Sequence, residues 1–190
     1  MKLRIAGTFL EINFRFAAVI TVLLTVIPQS NAFDCFVLCL LHEIGHLGVM
    51  LISGRRIQGI RFDYFGIKII SDRKFLTPFR EAAIAAGGPC VNFVFASVLF
   101  ICGKESTAVL SLALAFFNLL PVSILDGGHI LSALFPDSKA VRFISSGCAV
   151  LLLIAGIAVA IYSKKNFTLL TVSLYLLIGT VCKKDLTQSR

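Results

Sequence analysis

Between Phe33 and Ile52 the chain runs through about 20 almost wholly apolar residues, enough for a helix to cross the hydrocarbon core of a bilayer. In the middle of that run stand His42, Glu43 and His46. In lipid the backbone must satisfy its own hydrogen bonds, so the segment has to be helical. Three polar side chains there cost several kcal/mol unless they pair, bind a metal or line a wet cavity. On a helix, positions i and i+4 share a face, so both imidazoles reach one metal ion while Glu43 stands beside them. The pattern His42-Glu43-Ile44-Gly45-His46 is the zinc-hydrolase signature. It arises by accident in soluble chains, but the accident is poorly tolerated inside a transmembrane run. A structural zinc closes its fourth position with a further side chain, whereas a catalytic one keeps it for water. The expectation is therefore one catalytic Zn2+ per chain held by His42 and His46. Glu43 is placed to take a proton from water and return it to a leaving amine.

The rest of the chain reads as a scaffold for that segment. It has 190 residues, 57% of them hydrophobic and only 15% charged, with a mean hydropathy of +0.92, which excludes an ordinary soluble domain. The length suits a single transmembrane domain over 1–190. The net charge of +8 raises nucleic acid as a partner, yet the basic residues fall between apolar runs, where they orient a chain in a membrane. The expected partners are the lipid bilayer and membrane proteins, not nucleic acid. Cys35, Cys39, Cys90, Cys102, Cys148 and Cys182 form no Cys-x-x-Cys pair and mostly sit in apolar runs, so they read as small hydrophobes.

Residues 10–16 alternate apolar and polar, the period of a half-buried strand. Residues 16–28 form a short first span, which with Ser30-Asn31-Ala32 loosely resembles a signal peptide but is expected to be retained. The second span, Phe33–Ile52, ends at Ser53-Gly54. Residues 55–74 interleave Ile57, Ile60, Phe62, Ile67 and Ile69 with Arg56, Arg61, Asp63 and Lys68, which predicts a surface hairpin turning near 63–66 and able to pair with the first strand. Further spans are expected at 79–102, 107–121, 141–162 and 167–182. Between them, Leu125-Asp126-Gly127-Gly128-His129 reads as a polar, glycine-rich break, followed by a short apolar piece at 130–135 and a stop at Pro136-Asp137. The predicted fold is an all-α polytopic membrane protein of about six transmembrane helices with a small membrane-associated β-sheet.

With the N-terminus in the cytoplasm, fifteen of the 18 lysines and arginines fall on the cytoplasmic side, and only Lys104, Lys164 and Lys165 lie outside. That places the protein in the cell membrane as a multi-pass chain with both termini cytoplasmic. His42 to His46 then lie about 9 to 15 Å from the cytoplasmic end of their span at 1.5 Å per residue. The active site is thus near the cytoplasmic face, a depth that Gly87 to Asn92, Asn118 and Asp126 share.

A third zinc ligand is needed. Asp126 could simply turn the chain at Asp-Gly-Gly, or its carboxylate could complete a site of two histidines and one aspartate; His129 is a rival ligand or a donor to substrate. Asn92 and Asn118 could equally bond between helices, the usual work of Asn in a membrane bundle. Gly87 and Gly88 permit close packing, and Pro89 and Pro121 break regular backbone.

At these residues the chain resembles the site-2 protease family of intramembrane zinc metalloproteases. The likeness rests on His42-Glu43-Ile44-Gly45-His46, then Gly87-Gly88-Pro89-Cys90-Val91-Asn92, then Asn118-Leu119-Leu120-Pro121 leading into Leu125-Asp126-Gly127-Gly128, in the family's order. The resemblance implies that His42, His46 and Asp126 ligate zinc, that Glu43 is the acid and base, that Asn92 and Asn118 help hold substrate, and that the strands form the family's membrane-associated sheet. The compact form is most similar to bacterial sporulation-type members that release a membrane-bound sigma factor. The implied activity is hydrolysis of a peptide bond in or near a transmembrane segment of a membrane-bound substrate, such as a sigma or transcription factor precursor or its anti-sigma factor, under control of a regulatory membrane partner. The alternative is a non-catalytic membrane zinc protein, a metal carrier or a pseudo-protease that holds its client. A carrier should spread polar groups through the whole depth, and a pseudo-protease should have lost Glu43.

Overall fold

The structure, a computed structural model, describes residues 2–5, 8–12, 29–54, 57–63, 66–71, 76–163 and 167–188. The predicted first span at 16–28 lies outside the described residues. The chain divides into two units, Met1–Ala115 and Phe116–Arg190, taken in turn.

The first unit opens with β1 (Lys2–Ile5) and β2 (Thr8–Ile12), an antiparallel pair in which Lys2 faces Glu11 and Arg4 faces Phe9. Residues 10–12 of the strand expected at 10–16 belong to β2, which starts at Thr8, while 13–16 lie outside the described residues; β1 was not anticipated. The hairpin forms where expected, from β3 (Ile57–Asp63) and β4 (Gly66–Ser71), with Ile60 opposite Ile69 and an irregularity between Ile57 and Gly59. β2 lies parallel to β3, Leu10 beside Ile60, which completes a four-stranded sheet in the order β1-β2-β3-β4. A parallel pair needs a crossover, and this one contains helix α1 (Gln29–Ile52). Helix α1 stops at Gly54, whose φ of 75° is open to glycine without strain.

α1 packs along α2 (Pro78–Ile101). The contact depends on glycine: a Cβ on Gly45 would strike the Gly87 carbonyl, and one on Gly87 would come within 2.7 Å of the Gly45 oxygen. Helices that meet through small residues bring their backbones together, the usual solution in membranes. α3 (Glu105–Asn118) follows a turn at Gly103. It is tied back by Thr107 Oγ1 donating to Asp34 Oδ2 at 2.7 Å and by Ser111 Oγ donating to the Asn92 carbonyl at 2.9 Å.

The second unit begins within the last residues of α3. Residues 119–125 are irregular, consistent with Pro121, so the expected span at 107–121 ends as a helix at Asn118. Helix α4 (Asp126–Leu134) comes next, then α5 (Lys139–Ser163) and α6 (Thr168–Gln188). The reading of residues 125–129 as a glycine-rich break is corrected here, because Asp126, Gly127 and Gly128 are already helical. The glycines are there for contact: a Cβ on Gly127 would strike the Leu119 carbonyl, and one on Gly128 the Val122 carbonyl. The core of this unit is Val122, Leu125, Ala149 and Leu176, with Phe117, Leu120, Ile124 and Leu152 against it. Ser123 N–H donates to Ser145 Oγ at 2.7 Å, and Gly156 lets α5 approach Leu170 and Ser173 of α6. α4 is capped at Phe135, and Asp137, at φ 58°, lies in the turn that follows.

Among the described residues, three helices are long and apolar enough to cross a membrane, Phe33–Ile52, Pro78–Ile101 and Lys139–Ser163; Glu105–Asn118 and Thr168–Val181 are shorter apolar helices. Their outer faces carry large hydrophobes such as Ile52, Ile101 and Phe143, each at least 80% exposed, a surface that belongs in lipid.

Candidate metal centre

Helix α1 presents His42 and His46 on the side that faces α2, where Gly45 and Gly87 bring the backbones into contact, while Ile44 on another side is exposed. His42 is buried, and the two rings stand edge to face with centroids 4.8 Å apart and Nε2 atoms 3.1 Å apart. Glu43 is half-buried beside them.

α2 supplies the partners that orient both rings. Within α2, Pro89 has no N–H to offer the carbonyl of Ala85, one turn back. In that turn the Ile84 carbonyl lies 2.8 Å from His46 Nδ1. A carbonyl can only accept, so His46 Nδ1 carries the proton and donates it, leaving the lone pair on Nε2. Gly88 N–H also approaches Nδ1, at 3.3 Å, but the shorter contact decides the tautomer. Asn92, fully buried, sets its Nδ2 3.0 Å from His42 Nδ1, while its Oδ1 has no hydrogen-bond partner among the described residues.

The space beside the two Nε2 atoms exists because residue 88 is glycine. A Cβ there would come within 2.5 Å of His46 Nε2 and 2.6 Å of His42 Nε2. Two imidazoles converging on a cradle that a methyl group would fill, one with its other nitrogen beside buried Asn92 and the other with its other nitrogen beside the Ile84 carbonyl, fit a zinc ion. Sequence reasoning missed the Ile84 carbonyl, for which the sequence carries no signal, and the cradle at Gly88, whose signal is the Gly87-Gly88 pair itself.

The remaining expected site residues belong to the second unit. Asn118 is the last residue of α3 and half-buried. Asp126 is the first residue of α4, also half-buried, and the helix N-terminus suits a carboxylate. His129 is exposed one turn later. With no break between them, Asp126 and His129 occupy positions i and i+3 of one helix and share a face.

A sequence profile of Peptidase family M50 matches residues 104–163. The chain is 32% identical over 105 residues to a protein of Synechocystis sp. named as a zinc metalloprotease, covering 49% of this chain and 28% of that one. It is 26% identical over 202 residues to a zinc metalloprotease of Methanocaldococcus jannaschii, covering 93% of this chain and 58% of the relative. The chain thus spans between about a quarter and three-fifths of the length of the curated relatives it matches. Its fold matches the solved site-2 protease of Methanocaldococcus jannaschii with a TM-score of 0.69 at 25% identity, covering 95% of this chain and 93% of that one.

Proposed function

We propose that this chain, similar in sequence to zinc metalloproteases and in fold to a site-2 protease, is a member of the site-2 protease family, a membrane-embedded zinc endopeptidase that cleaves a peptide bond in or near a transmembrane segment. The observation that carries the reading is the histidine pair itself: two imidazoles, one with its tautomer set by a main-chain carbonyl, converge beside Gly88 on the wall of an apolar helix pair. His42 and His46 hold the zinc, and Asp126, at the head of α4, is the third ligand by its place in the family's motif order. When bound, zinc supplies Lewis acidity, polarising a carbonyl and making water a nucleophile near neutral pH. Glu43 holds the water, takes its proton and delivers that proton to the leaving amine. Asn118 and His129 bind the substrate's polar groups, and the sheet, lying at the membrane surface, pairs with an unwound stretch of substrate along an edge strand.

Six spans, both termini in the cytoplasm and a site near the cytoplasmic face follow from the lysine and arginine asymmetry. A membrane-tethered transcription factor, sigma factor precursor or anti-sigma factor has the required form of substrate, a single span with a cytoplasmic domain to release. The test is co-expression with single-span candidates: cleavage appears with the native chain and disappears with Glu43→Gln, which keeps its zinc. Cleavage that persists in the Gln variant removes Glu43 from the chemistry, and zinc binding with no cleavage of any candidate favours a client-holding role.

A further inference from the structure

The strand register sorts the residues of the sheet onto two faces, since paired positions share a face and successive positions alternate. On one face Leu3, Leu10, Ile60 and Ile69 form a row, and the next row on that face, Ile12, Phe62 and Ile67, is again apolar. On the other face the matching row is Lys2, Glu11, Arg61 and Lys68, three cations to one carboxylate, with Arg4 and Asp63 adding one charge of each sign. Arg61 stands directly opposite Lys68, a like-charge pair that disfavours the sheet unless negative charge is near. An apolar sheet face has to be covered, and among the described residues no helix packs broadly against it. A covering surface is close by. Residues 53–56 join α1 to β3 and 72–77 join β4 to α2, so at about 3.5 Å per residue the hairpin stays within about 18 Å of one apolar span and about 25 Å of the next.

We propose that the sheet lies flat on an anionic lipid surface, with its apolar face at the acyl boundary and its basic row within the negative surface potential. An element that is apolar on one face and basic on the other has the chemistry for this, its apolar side sinking about 5 to 10 Å into the headgroup boundary. Each basic residue near such a surface strengthens attachment about fivefold, over a Debye length of about 8 Å. Lying flat puts the free edges of β1 and β4 in the membrane plane, the level at which another chain's span arrives. An acidic protein segment would satisfy the basic row but leave the apolar face uncovered, so lipid is the better occupant. The inference rests on the membrane reading of the apolar helices and not on the zinc chemistry, so a chain that cleaves nothing still tests it.

The chain contains no tryptophan, so a single introduced one is a unique fluorescent probe. Ile69→Trp and Ile70→Trp, neighbours on opposite faces of β4, are made in the full chain. Each is reconstituted into phosphatidylcholine bilayers with or without phosphatidylglycerol, the acyl chains brominated to quench tryptophan on contact. In the anionic bilayer Ile69→Trp should be quenched about threefold more strongly than Ile70→Trp. Its quenching should rise when phosphatidylglycerol is added and fall back in about 1 M salt, where the Debye length shrinks to about 3 Å. Adding Arg61→Gln and Lys68→Gln to Ile69→Trp should abolish that rise, since two charges at about fivefold each weaken seating about 25-fold. Equal quenching at the two positions, the reverse order, no response to phosphatidylglycerol, or a rise that survives the double change would each overturn the proposal. Quenching at neither position means that protein covers the apolar face, and overturns it as well. If Ile69→Trp does not fold, Ile67→Trp on the same face takes its place.

Discussion

Replacing Gly88 with alanine should abolish tight metal binding without unfolding the protein. The added Cβ would stand 2.5 Å from His46 Nε2 and 2.6 Å from His42 Nε2, whereas ordinary contact begins at 3.4 Å. The rings must therefore retreat by about 0.9 Å, the difference between 3.4 and 2.5 Å. Metal–ligand distances tolerate only about 0.2 Å, and misplacement by about 1 Å can slow an enzyme on the order of 10²-fold. Loss of zinc affinity by on the order of 100-fold follows, about 2.7 kcal/mol at 1.36 kcal/mol per decade. Stability should not follow it down, because alanine is favoured over glycine in a helix by about 1 kcal/mol and offsets part of the displacement. Gly48→Ala is the control on α1, since nothing lies within 4 Å of its added Cβ. The assay is chelator competition for zinc beside thermal unfolding of both variants in detergent. Zinc affinity in Gly88→Ala within threefold of the native protein would refute the cradle.

Asp126→Ala should lose most bound zinc and all cleavage, while His129→Ala keeps its zinc and loses only rate; metal analysis of the purified variants separates them, and the opposite pattern exchanges the two roles. A reporter fused after Arg190 or within residues 55–74 should be cytoplasmic and one near Lys104 or Lys164 external, and an external hairpin overturns the assigned depth of the site. Ile67→Pro, on the edge strand β4, should slow cleavage of a transmembrane substrate while zinc content holds, because proline removes a main-chain donor; unchanged cleavage would leave the sheet a structural role.

Much of this protein was legible before folding because its strongest signals are local. The five residues from His42 to His46 imply one helical face, since the period of a helix is a property of the backbone alone. The apolar runs mark membrane helices because lipid offers the backbone no other partner, and the hairpin at 57–71 shows in its alternation. What the tertiary structure decided lies in contacts between distant residues. Gly127 and Gly128 looked like a break because glycine weakens an isolated helix, but here they are helical with the Leu119 and Val122 carbonyls against them. Strand β1 was missed because four residues carry too little pattern, and only pairing with β2 defines them. The tautomer of His46 depends on the carbonyl of Ile84, 38 positions away, and Asn92 bonds a ring 50 positions away, so no spacing rule can announce either. Sequence periodicity specifies which side chains share a face, whereas the second nitrogen of each imidazole takes its partner from whichever backbone the glycines allow to come near.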